Sequence, residues 1–265
     1  MGDVRGFAWL DEGRAGDLAL GGDSAAARRV LDGLIEGVDV IVQPATGRRK
    51  RLIVADMDST MITVECIDEL ADYAGLKAEV AGVTERAMRG ELDFEEALDA
   101  RVALLKGMDA GVIDRCRAER VRLTPGARTL VRTMKVNGAH ALLVSGGFTR
   151  FAGPVAEEIG FDRAIANVLE IDGGRLAGTV TRPIVGAAAK REALVETAAR
   201  LGLAAEETLA VGDGANDIPM IVAAGLGVAY HAKPAAAAAD ARIAANDLTA
   251  LLYAQGYPRA EWVTD

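Results

Sequence analysis

From residue 52 onward, short apolar runs alternate with longer amphipathic stretches. Leu52-Ile53-Val54-Ala55 has no polar break and stops at Asp56. The run 141–144 stops at Ser145, and the run 209–211 stops at Gly212-Asp213. Brief apolar runs followed by polar or glycine residues predict buried parallel strands with functional loops at their carboxyl ends. Helical periodicity fills the intervals at 125–136, 148–159, 190–201 and 217–224. This alternation predicts an α/β fold, a doubly wound Rossmann-like parallel sheet that binds ligands beyond its strand ends.

The interval between the first two strands is too long for one crossover. Segments 64–73, 77–89, 94–105 and 112–119 have helical patterns, punctuated by Gly75, Gly90 and Gly107. Residues 64–123 are therefore expected to form a helical cap inserted after the first core strand, with 51–63 and 124–265 forming the core. Residues 168–171 and 176–180 flank Asp172-Gly173-Gly174, a hairpin signal. Residues 1–50 differ from the rest: a helix is expected over 24–37 and a short strand over 38–42, with too little apolar material for an independent core. The basic run Arg48-Arg49-Lys50-Arg51 suits a solvated linker, and the alanines of 235–239 suit a helix.

Composition narrows the function classes. With 265 residues, 51% hydrophobic and 26% charged, the chain is globular and large enough for a core without disulfides. Its 39 acidic against 30 basic residues give a net charge of −9, which argues against nucleic acid and anionic lipid as partners. No uncharged stretch reaches the ~18 apolar residues of a membrane span. Charges enter as early as Asp3 and Arg5, so no apolar signal core is expected. Cys66 and Cys116 lack paired or metal-type spacing, and a reduced, cytoplasmic protein is expected. His140 and His231 have no partner at metal-ligand spacing, which favours structural roles for both.

The candidate chemistry begins at Asp56-Met57-Asp58-Ser59-Thr60, directly after the first strand. Two carboxylates at i and i+2 on a tight loop can face one pocket, one attacking phosphorus and the other serving as acid and base. The same residues could merely form an Asx-type turn. Ser145-Gly146-Gly147 offers a hydroxyl and flexible backbone N–H groups that suit a phosphoryl oxygen, or an ordinary turn. Gly212-Asp213-Gly214-Ala215-Asn216-Asp217 adds oxygen ligands of the kind hard Mg2+ prefers. Lys190 could neutralise a phosphate or simply be solvated.

Taken together, in this order and at three strand ends, these motifs resemble those of the haloacid-dehalogenase-like hydrolase superfamily. The likeness is stronger to its branch that acts on phosphoserine, through Glu65-Cys66-Ile67-Asp68-Glu69-Leu70, through Phe94-Glu95-Glu96-Ala97-Leu98 with Arg101, and through the nearly residue-for-residue match at 143–148 and 210–217. It covers about residues 51 to 253. The resemblance implies hydrolysis of O-phospho-L-serine to L-serine and phosphate, the last step of serine biosynthesis. Asp56 would be the nucleophile and Asp58 the general acid/base. Mg2+ would be held by the Asp56 carboxylate, the Asp58 carbonyl and Asp213, with Asp217 behind. Ser145, Gly146 and Lys190 would hold the phosphoryl group, with Asn216 nearby. Glu65 and Arg101 would read the ammonium and carboxylate of phosphoserine, and Phe94 would wall the pocket. Relatives often carry a longer N-terminal ACT-like regulatory domain, of which residues 1–50 would be a shortened remnant. A phosphotransferase using another acceptor hydroxyl and a catalytically silent phospho-amino-acid sensor remain as alternatives. Oligomeric state stays open between monomer and homodimer.

Overall fold

A computed structural model describes residues 3–232 and 239–264. The chain begins with an antiparallel hairpin, β1 (Val4–Asp11) and β2 (Ala15–Leu20), followed by α1 (Ser24–Leu31). The segment 38–42, expected as a strand, has no regular structure. It is held by side chains instead of a ladder: Asp39 accepts the backbone N–H groups of Ala244 (2.8 Å), Ala245 (3.1 Å) and Asn246 (3.0 Å).

The first core strand, β3 (Leu52–Ala55), is buried throughout and runs into a single wide turn, Met57–Met61. Four helices follow: α2 (Cys66–Tyr73), α3 (Lys77–Met88), α4 (Phe94–Leu104) and α5 (Gly111–Arg120). A capping box starts α4, with the Asp93 carboxylate on Glu96 N–H and the Glu96 carboxylate on Asp93 N–H. The helical excursion leaves and re-enters through one neck. Thr63 N–H donates to Arg122 O (3.0 Å) and Thr124 N–H to Met61 O (3.0 Å).

The core then continues with α6 (Ala127–Val136), β4 (His140–Phe148), α7 (Thr149–Ile159) and β5 (Arg163–Asn167). Next come the hairpin strands β6 (Leu169–Asp172) and β7 (Arg175–Val180), then α8 (Ala187–Arg200), β8 (Thr208–Gly212) and α9 (Ile218–Ala223). The chain ends with β9 (Leu226–Tyr230), β10 (Ala241–Ile243) and α10 (Ala250–Ala254). The alanine run 235–239, expected as helix, lies outside the described residues apart from Ala239.

Six strands form one parallel sheet in the order β10-β9-β8-β3-β4-β5. Alternation along each strand separates two cores. Ile53, Ala55, Leu143, Leu209 and Val211 face one cluster, and Leu52, Val54, Leu142, Val144 and Ala210 face the other. Chain order runs outward from β3 through β4 to β5, then jumps back to β8. The reversal makes a switch point between β3 and β8, where an open α/β sheet leaves a crevice at its carboxyl ends. β4 extends beyond the expected end at Val144 to Phe148, with a register slip between the two. Lys190, expected to open its helix, is the fourth residue of α8, because Ala187–Ala189 already form its first turn. Cys66 and Cys116 are free and buried. His140 faces Asp162 (3.2 Å) and His231 Nε2 lies 3.0 Å from Asn246 O.

Candidate active site

β3 delivers Asp56 at the switch point, where the Asp56 N–H donates to Val211 O on β8 (3.0 Å). Lys190 Nζ donates to Asp56 Oδ1 and to Asp217 Oδ1, both at 2.6 Å, and is itself fully buried. Burial alone would lower the Lys190 ammonium, but the two carboxylates outweigh it and hold the group charged. Burial pushes the Asp56 carboxyl up, against Lys190 and with Asp217 and Asp58 adding to the rise.

The wide turn places Asp58 between Ser145 on β4 and the start of α2. Ser59 takes left-handed backbone (φ 53°) to make it, and its hydroxyl donates to Glu65 Oε1 (2.5 Å). Asp58 Oδ1 accepts the N–H of Cys66 at the start of α2 (3.0 Å), a helix terminus that favours negative charge. Burial first, and Glu65 second, push Asp58 up to about 7. The pair thus divides in environment: Asp56 has an ammonium on it, whereas Asp58 has none.

Asp213 follows β8, accepts from Thr60 Oγ1 (3.3 Å), and is pushed up to about 6 by burial, then by Glu65 and Asp217. Carboxylate oxygens of Asp56, Asp213 and Asp217 lie within 4.8 Å of one another. One ammonium cannot neutralise three carboxylates, and an all-oxygen donor set is what hard cations take. The residues present therefore fit a metal ion. Gly212 is required by close approach, since a Cβ there would lie 2.4 Å from Asp217 Cγ. Asp217 also accepts the Gly214 N–H (3.0 Å), which fixes the acidic turn from behind.

Ser145 is fully buried in β4, and its Oγ lies 3.5 Å from Asp58 Oδ2 while accepting the Gly147 N–H (2.8 Å). Phe94, half-buried at the start of α4, lies against Gly146 and Gly186, where added Cβ atoms would come within 3.1 and 3.3 Å of its ring. Arg101, part-buried one turn before the end of α4, donates Nε to Ala97 O (3.1 Å). Burial lowers it, and the carboxylates of Asp68, Glu65 and Asp58 oppose that shift. Glu65 is exposed beside Ser59, and Asn216 sits half-buried on the short turn Ala215–Asp217. Hydrogen bonds and ion pairs thus connect Asp56, Lys190 and Asp217 in one group and Asp58 with Ser145 in another. Phe94, Arg101 and Glu65 approach from the helical excursion.

Thr60 and Cys66 lie within the motifs but carry no expected role, and Asn167 lies in none of them. Asn167 ends β5 and bonds to both Gly146 and Val185. A polar residue at the carboxyl end of the edge strand β5 is the one hint the sequence offers for it.

The model of the family described as haloacid dehalogenase-like hydrolase matches residues 53–221. A phosphoserine phosphatase of Streptomyces coelicolor is 52% identical over 228 residues, 85% of this chain and 55% of that protein. One of Archaeoglobus fulgidus is 48% identical over 215 residues, 80% of this chain and 62% of that protein. The chain thus spans little more than half the length of these curated relatives. A solved structure described as a phospho-aspartyl intermediate analogue of phosphoserine phosphatase superposes with a TM-score of 0.72 at 40% identity, covering 77% of this chain and 98% of that one. A carboxylate pair after the central strand, a lysine on its first member and an acidic turn after the neighbouring strand thus coincide with a family match over well over half of the sequence: the chain belongs to the haloacid dehalogenase-like hydrolase family.

Proposed function

We propose that this chain is a Mg2+-dependent, cytoplasmic phosphomonoesterase that releases L-serine and phosphate from O-phospho-L-serine. The observation that carries the reading is the division of Asp56 and Asp58: the first accepts from the buried Lys190 ammonium (2.6 Å), whereas the second, raised by burial, lies against the Ser145 hydroxyl (3.5 Å) and the Cys66 N–H (3.0 Å).

Asp56 attacks phosphorus, forming an oxygen–phosphorus bond as the bond to the serine oxygen breaks. The Asp58 carboxyl gives its proton to that oxygen, because an alkoxide is a poor leaving group. Asp58, now a carboxylate, takes a proton from water as the water attacks the aspartyl-phosphate. Phosphate leaves, and Asp56 and Asp58 return to their starting states. Ser145 and Lys190 carry donors for the phosphoryl oxygens, and the Gly146 N–H joins them. Asp56, the Asp58 carbonyl, Asp213 and, from behind, Asp217 would hold Mg2+. When bound, Mg2+ neutralises the phosphoryl oxygens and aligns the group for in-line displacement.

We assign 64–123 as a cap over this pocket, with Glu65 for the substrate ammonium, Arg101 for its carboxylate and Phe94 as a wall. Similarity to two curated phosphoserine phosphatases supports that substrate. Phosphate release across a panel of small phosphomonoesters, with chelator and with Mg2+ restored, tests the reading. O-phospho-L-serine should give the highest kcat/KM, and only with metal. Asp56→Asn should fold yet lose nearly all turnover, several orders of magnitude for a covalent nucleophile. A preference for another ester refutes the substrate, and near-normal turnover by folded Asp56→Asn refutes the chemistry.

A further inference from the structure

Asn167 is 2% exposed, ends β5, and is not one of the motif residues. Its amide orientation is fixed by its partners. Oδ1 accepts the Val185 N–H (2.8 Å), so Nδ2 must face the carbonyls of Gly146 (2.8 Å) and Val185 (3.4 Å). The Gly146 carbonyl belongs to the same peptide unit as the Gly147 N–H, and that N–H donates to Ser145 Oγ (2.8 Å). The 146–147 peptide is therefore pinned at both ends, its oxygen by Asn167 and its hydrogen by Ser145. Each bond in such a chain polarises the next.

From this geometry we infer that Asn167 is a positioning residue for phosphoryl transfer, acting through the 146–147 peptide on the Ser145 hydroxyl. With the Gly147 N–H occupying one lone pair of Ser145 Oγ, the hydroxyl proton is directed away from that peptide. It points to Asp58 Oδ2 (3.5 Å), a long bond that a phosphoryl oxygen placed beside Asp58 can take over. The same amide ties Val185 to this peptide, and Val185 directly precedes Gly186, the N-cap of the helix carrying Lys190. Asn167 thereby sets the spacing between the two chain segments that carry Ser145 and Lys190. The inference rests on the phosphotransfer reading of the site but not on the identity of the alcohol.

Asn167→Asp is the sharpest test. A carboxylate keeps the acceptor for the Val185 N–H but turns an oxygen toward the Gly146 carbonyl, so the peptide loses its donor. Small misplacements at a reacting group cost about 10²-fold, and kcat/KM should fall by about that much for phosphoserine and for para-nitrophenyl phosphate alike. Inhibition by orthovanadate should weaken in parallel, while L-serine binding stays near wild type. Ser145→Ala and Asn167→Asp should be markedly non-additive, because both interrupt one relay. Near-wild-type turnover by Asn167→Asp, or losses that simply multiply with Ser145→Ala, would overturn the inference by leaving Asn167 a packing residue. Should the aspartate variant fail to fold, Asn167→Ser carries the same test, since its short hydroxyl cannot span both segments. If the wild type cleaves the aryl phosphate but not phosphoserine, only the substrate assignment falls.

Discussion

Glu65 lies just before α2 and Arg101 lies on α4, and their environments differ in a way that bears on specificity. Glu65 is anchored by the Ser59 hydroxyl (2.5 Å), and Ser59 reaches it only by adopting left-handed backbone. Arg101 is part-buried, and its recorded hydrogen bond uses only Nε, on its own helix. Under the proposed function, phosphoserine would offer an ammonium to the first and a carboxylate to the second, the latter suited to a bidentate guanidinium. Losing one such contact in a partly desolvated site leaves the other charge unpaired, at about 2–5 kcal/mol. Glu65→Gln and Arg101→Ala should therefore lower kcat/KM for phosphoserine sharply and for an aryl phosphate much less. Equal losses on both substrates would assign these residues to the fold or to the chemistry instead. Glu65→Gln has a second signature: it removes a charge that raises Asp58, so the alkaline limb of the pH–rate profile should move to lower pH.

At the level of elements, the strand ends were legible and the backbone around them was not. Leu52–Ala55 reads as a buried strand because both faces of a parallel sheet are covered, which leaves no polar alternation. Asp56, Ser145, Asp213 and Asp217 stand out as polar groups at or near such ends. The β1–β2 hairpin carries no buried face for a sequence pattern to reveal, with Phe7 and Trp9 more than half exposed. The continuation of β4 through Ser145-Gly146-Gly147 was hidden for another reason. Glycines read as a turn, yet here they are demanded by close approach: a Cβ on Gly147 would lie 2.7 Å from Asp58 Oδ2 and 3.0 Å from Ser145 Oγ. Asn167 could not be found from spacing, since its partners Gly146 and Val185 meet only once β5 lies beside β4. Gly147→Ala should accordingly push Asp58 and Ser145 apart, cutting kcat by ~10²-fold, the scale set by an ångström of misplacement. Thermal stability should fall as well, because Ser145 and Met57 are fully buried and overpacking such a site costs about 1–3 kcal/mol. Unimpaired turnover would mean that β4 yields at this point and that the spacing is not critical.

For the molecule as a whole, the fold concentrates negative charge where it has least solvent, on top of a net charge of −9. In metal-free protein, burial raises Asp58 to about 7 and Asp213 to about 6. A carboxyl whose folded value lies above its unfolded one binds its proton more tightly when folded. Its stabilising contribution is complete below pH ~4, where the unfolded carboxyl also titrates, and is lost as pH rises through the folded value. Chelated protein should therefore lose stability from about pH 4 to about pH 7, most steeply near pH 5, where both carboxyls hold protons only in the folded state. A cation held by deprotonated carboxylates acts in the opposite sense, since protons compete with it. At a concentration of 100 times its Kd it adds about 2.7 kcal/mol, roughly 5–10 °C in Tm for a chain of this size. Mg2+ should thus raise Tm most at pH 8 and least at pH 5. Asp213→Asn should remove most of that difference, because it takes away one ligand and one titrating group together. The net charge also weakens the fold as pH rises, but that repulsion is screened by any salt. Melting curves in KCl at matched ionic strength separate the two effects. A Mg2+ shift that is equal at pH 5 and pH 8, or is reproduced by KCl, would show that the buried carboxylates and the cation are not linked.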